Sequence, residues 1–119
     1  MIHTLNLQPQ PFAMIAEGLK TIELRLYDEK RSQIRVGDTL VFSHSDDPAR
    51  TLTATVTALH RFPDFAALYA ALPLDQCGYL PEELSAASPE DMNVYYSAEK
   101  QARYGVVGIE IALIEEGQK

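Results

Sequence analysis

Apolar and polar residues alternate along much of the chain. In 51–62, Leu52, Ala54, Val56 and Ala58 alternate with Thr51, Thr53, Thr55 and Thr57. A period of two predicts a half-buried strand, and β-branched threonine suits its wetter face or an edge. The same pattern predicts strands at 3–7, 20–26, 39–44 and 105–114, the last with Val107, Ile109, Ile111 and Leu113 inward. Between the first two the period changes. Phe12, Ile15 and Ala16 share one helical face, which Leu19 extends; Pro11 suits the helix start and Gly18 a left-handed cap. Asp64 predicts the cap of a second helix reaching Leu72, with Phe65, Leu68, Tyr69 and Leu72 at core spacing. Residues 73–87 read as a loop with one short helix at 81–86. Ser88-Pro89-Glu90-Asp91 then starts another helical segment, which carries Tyr95 and Tyr96. The order of elements predicts an α+β fold: a small closed barrel, helix 12–17 plugging one end, and a helical insertion before the last strand.

The length of 119 residues predicts one domain over 1–119. Apolar content of 46% and charged content of 23% are ordinary for a globular protein. No apolar run approaches the ~20 residues of a membrane span, so no membrane partner is expected. Met1-Ile2-His3-Thr4 lacks the basic-then-apolar pattern of a signal peptide. Cys77 is the single cysteine; it excludes an internal disulfide and fits a reducing cytoplasm. With no base nearby in sequence it reads as a structural thiol.

Charge is uneven. The chain carries a net −7, with a pI near 4.8. Yet residues 20–35 hold five of the ten basic side chains, Lys20, Arg25, Lys30, Arg31 and Arg35, against Glu23, Asp28 and Glu29. An acidic surface repels a polyanion, so coating of nucleic acid is excluded. The basic island instead suits a local anion or phosphate site. An RNA partner would be single-stranded and gripped at few phosphates, or at a single nucleotide.

Lys20 stands where a helix ends and a strand begins, as a cleft lysine or a solvated cap of the helix. Glu23 and Arg25 share a strand face with Thr21, as a wet surface ion pair or as a polar cleft floor. Tyr95, Tyr96 and Tyr104 can stack on a base or pack on the barrel, and at least one of the adjacent pair is expected to pack. His3, His44 and His60 fall on three separate strands without ligand spacing, so neither a metal nor a cofactor is expected. Gly18-Leu19-Lys20-Thr21 is similar to the tail of a phosphate-binding loop. The glycine that pattern requires five residues earlier is Ala13.

Gly18-Leu19-Lys20-Thr21, Arg25, Gly37-Asp38, Tyr95-Tyr96-Ser97 and the run from Tyr104 to Ile111 together resemble the ASCH family, in order and in spacing. The resemblance covers nearly the whole chain. It implies a compact β-barrel related to the PUA RNA-binding domains, with Lys20 in the cleft. It further implies RNA or a modified nucleoside as ligand, bound by Lys20, Thr21, Glu23, Arg25, Arg31 and Tyr96. Some members are amidohydrolases that deacetylate a modified cytidine with a Lys, a Thr and a Glu, and others are ribonucleases on single-stranded RNA. In such an enzyme Lys20 and Glu23 would be catalytic, with Tyr27 and Ser97 as further residue types the ribonucleases use. The amidohydrolase threonine lies three residues after the lysine, where this chain has Glu23, so weak or absent deacetylation is expected. A protein-interaction module of the coactivator kind is a further alternative that the family name implies.

Overall fold

Five strands, β1 (Ile2–Leu7), β2 (Ile22–Leu26), β3 (Thr39–His44), β4 (Thr51–Phe62) and β5 (Val106–Leu113), curl into one sheet in the order β1-β3-β4-β5-β2. The computed structural model describes residues 1–114 of the 119. β1 and β3 are parallel and the other neighbours antiparallel. The expected α+β barrel is present as a half-barrel, with β1 and β2 as its edges.

The sheet buries its inner face, and its outer face chiefly at β2 and β5. Inside the curl, Leu5, Leu40, Phe42, Val56, Val107 and Ile109 form one apolar cluster, and Phe12 and Ile15 enter it from helix α1 (Pro9–Ala16). This is the expected plug. Ala16 and Leu19, by contrast, are exposed. The helical period stops at Gly18, whose φ of +80° turns the chain away.

Outside the curl, Ile22, Leu24, Leu26 and Val106 meet a second cluster made by the insertion between β4 and β5. The insertion contains helix α2 (Phe65–Ala71), three 3₁₀ turns (Leu74–Gln76, Pro81–Ala86, Pro89–Val94) and helix α3 (Ala98–Tyr104). Asp64 caps α2 as expected, accepting from the Ala67 N–H at 2.9 Å. The segment after Ser88 divides: its 3₁₀ turn ends before Tyr95, and Ser97 opens α3 as a separate helix. At Gly108, on β5, a Cβ would lie 2.7 Å from Leu72 Cδ1 and 3.2 Å from Ile22 Cγ2. Only glycine lets the insertion approach this closely.

Two inward assignments change. A bulge between Val56 and Ala58 adds one residue to β4, so beyond it Leu59, not Ala58, turns toward the interior. Leu113 is exposed, because β5 by then has run past its partner β2, whose pairing ends at Glu110.

Candidate functional site

The end of α1 sets the first functional side chain. Gly18 N–H donates to the Ile15 carbonyl at 3.1 Å and Leu19 N–H to that of Met14 at 2.9 Å. This is the paired closure of a glycine-capped helix, and it delivers Lys20 to the start of β2. The lysine stem then lies against Gly78, whose φ is +114° and where a Cβ would stand 3.5 Å from Lys20 Cδ.

β2 supplies the next two groups. Its outward residues Ile22, Leu24 and Leu26 are fixed under the insertion, so period two turns Glu23 and Arg25 to the other face. Glu23 is only 4% exposed. Its Oε1 lies 2.8 Å from Lys20 Nζ, and its Oε2 lies 2.6 Å from Arg25 Nε. The side chains of Lys20 and Arg25 are each 11% exposed. The wet surface pair is therefore replaced by a buried triad. Arg25 also donates from Nη2 to the Asn6 carbonyl at 2.7 Å, bridging β2 to β1 across the seam of the half-barrel.

Burial alone would raise the Glu23 pKa, but Lys20 and Arg25 together outweigh it and hold the carboxyl below its ordinary range. For Arg25 burial acts to lower the pKa; Glu23 outweighs it, and the net shift is upward. Both groups are charged at neutral pH. Each oxygen of the Glu23 carboxylate is thus engaged by a cation, Oε1 by Lys20 and Oε2 by Arg25.

These three side chains line a cleft of about 750 Å³. One wall is the first turn of α1, with Gln8, Pro9 and Gln10, and the other is the insertion. On the insertion wall Tyr96 stacks on Phe65, ring centroids 5.9 Å apart, while Tyr95 is 67% exposed beside it. Both line the cleft: Tyr96 packs as well as lines, and Tyr95 offers a free ring. Burial raises the Tyr96 hydroxyl above its ordinary pKa, with Arg25 opposing, so it is a neutral phenol.

Sequence reasoning missed Tyr79 and Asp91. Tyr69 and Tyr79 hydroxyls lie 2.7 Å apart, and Tyr79 donates to Asp91 Oδ2 at 2.6 Å. This chain joins α2, the loop after it and the third 3₁₀ turn into one wall. Burial, and then the Asp91 hydrogen bond, push the Tyr79 pKa well up. No periodicity marks Tyr79 or Asp91, since both sit in non-repeating backbone.

Other expected residues are elsewhere. Thr21 does not line the cleft: its hydroxyl donates to Gln76 Oε1 at 3.1 Å and its N–H to the Gln76 carbonyl. Arg31 is also outside it, paired with Asp28 at 3.0 Å. Tyr27 lies under Arg61, Ser97 caps α3, and Tyr104 packs on the outer cluster. Cys77 lines the cleft but is buried, and desolvation pushes its thiol up to about 11, so it is not a thiolate nucleophile. His3 pairs with Asp38, His60 with Glu110, and His44 accepts from the Asp46 N–H. Among the described residues no cluster of three His, Cys, Asp or Glu side chains could hold a metal.

Known proteins share the fold. A family model described as the ASCH domain matches residues 5–115. The crystal structure of the hypothetical protein PH0355 is similar at 31% identity, covering 96% of this chain and 100% of that one, with a TM-score of 0.79. Protein PF0455 from Pyrococcus furiosus, solved by NMR, is 34% identical over 97% of this chain and 99% of its own, with a TM-score of 0.68. An ASCH protein from Zymomonas mobilis shares the fold at 14% identity and a TM-score of 0.65, over 98% of this chain and 75% of that one. No curated protein matches the chain. With that model matching nearly the whole length, the chain belongs to the ASCH domain family.

Proposed function

We propose that the chain binds RNA, or a modified nucleoside or nucleotide, in the cleft floored by Lys20, Glu23 and Arg25. The observation that carries this reading is the Lys20–Glu23–Arg25 triad set into the floor of a cleft that Tyr95 and Tyr96 also line. Lys20 can meet a phosphate or a base carbonyl as a point charge. Tyr95 provides a ring for stacking, worth roughly 1–3 kcal/mol per base. The cleft volume falls in the ~300–1,000 Å³ range of small-ligand sites.

Three observations support binding over hydrolysis. A carboxylate with a lowered pKa is a weak general base. The Thr21 hydroxyl is engaged with Gln76, away from the cleft. The Cys77 thiol is protonated at neutral pH.

The test is a panel of modified nucleosides and short RNAs, read by thermal shift and by product analysis. Binding without turnover is expected. Lys20→Ala should weaken phosphate-bearing ligands about tenfold or more, with a shallow salt slope of roughly one to three phosphates. Robust deacetylation of acetylated cytidine, lost in Lys20→Ala, would overturn the reading.

A further inference from the structure

A second pocket, of about 300 Å³, lies near the end of β2 between Tyr27, Arg61 and Tyr104. The Arg61 guanidinium sits 3.9 Å from the centroid of the Tyr27 ring. Tyr27 in turn packs against the interior cluster, so the ring is held in place and the exposed Arg61 side chain lies over it. Among the described residues Arg61 makes no ion pair. The stack therefore orients the guanidinium plane while leaving its N–H edge for another acceptor. A planar fork of this kind suits phosphate. Among the described residues no carboxylate lines the pocket, in a chain of net charge −7. Tyr104 adds a second ring, with Arg103 5.2 Å from its centroid.

The two pockets border the same stretch of chain. Arg25 lines the first and Tyr27 the second, two residues on and about 7 Å along the chain. Across the sheet Arg25 pairs with Val107 and Val107 with Arg61, which puts the two arginines two strands apart, about 10 Å. That backbone separation lies within the span of two consecutive nucleotides of an extended single strand.

With RNA in the cleft, as proposed above, we infer that this pocket holds the adjacent nucleotide of a single strand whose first nucleotide occupies the cleft. Arg61 takes the phosphate, and the Arg61–Tyr27 stack with Tyr104 takes the base. The alternative is that Arg61 only shields Tyr27 from water. The two differ in what a longer ligand gains.

The experiment measures binding of the four mononucleotides and of a random-sequence RNA hexamer to the native protein, Arg61→Ala and Arg61→Lys, with thermal midpoints as a folding control. The hexamer should bind Arg61→Ala about tenfold more weakly, the order of one stacked base. Its salt slope should fall by about one. Mononucleotide affinity should not change. Arg61→Lys should restore the salt slope and not the stacking gain. A hexamer that binds native protein and Arg61→Ala equally overturns the second site and leaves the cleft reading standing. A native protein that binds mononucleotides but gains nothing from the hexamer does the same. No binding of any RNA or nucleotide overturns the second site together with the RNA reading of the cleft.

Discussion

The two faces of the sheet are covered by different means. The interior is closed by the strands themselves and by one short helix, through side chains that alternate in sequence. The outer face of β2 and β5 is closed by 3₁₀ turns and short helices with no common period. β2 belongs to both, with leucines outward and the Glu23–Arg25 pair on its other face. The contrast teaches where a site can arise. A regular face packs completely, whereas the border of an irregular cover leaves a cleft, and a charged pair can be buried there with one side open to a ligand.

Phe42 and Phe65, both fully buried, put this contrast to its severest test. Either change to alanine should cost about 3–5 kcal/mol. Phe42→Ala should lower global stability in denaturant. Phe65→Ala should release amide protection mainly in the insertion while β1 and β3 keep theirs. Equal loss of protection in all strands would show that the two clusters are one cooperative unit.

Glu23→Gln comes next. It leaves Lys20 and Arg25 buried without their counter-charge, at a cost of about 3 kcal/mol. The same contact predicts an acid dependence. The folded pKa lies below the ordinary 4.5, so its stabilisation is fully present above that pH. It is lost as pH falls through the lowered folded value. The variant should show a weaker acid dependence over that window in pH-dependent urea melts. An unchanged profile would mean that other carboxylates dominate.

The smallest effect is expected at Gly108. Alanine there meets Leu72 and Ile22, an overpacking cost of about 1–3 kcal/mol. The added methyl should perturb side-chain NMR signals of the outer cluster and leave Phe42 and Leu40 unshifted.

Strands and caps were legible in the sequence because period two and the residues Gly18 and Asp64 act locally. The triad was half legible. The spacing of Glu23 and Arg25 put them on one face, and Lys20 on the helix–strand junction, but polar residues on a strand read as solvated. What buries them is the first turn of α1 and the insertion, contacts that come from far along the chain. The bulge after Val56 was hidden because Thr55-Val56-Thr57-Ala58 keeps alternating, and only the adjacent Ala58-Leu59 breaks the pattern. Tyr79 and Asp91 were hidden because a short 3₁₀ turn carries no lasting period. Thr21 followed the strand rule in expectation, yet it precedes β2, where Gln76 claims its hydroxyl.

The open seam between β1 and β2 has a further consequence. Unpaired strand edges are templates on which a second chain can add, and proteins guard them with charged side chains turned inward. Here one guanidinium already occupies the Asn6 carbonyl and the Glu23 carboxylate. An incoming strand would have to evict it and strand a buried carboxylate without its partner. The group that floors the cleft thereby also protects the chain against aggregation.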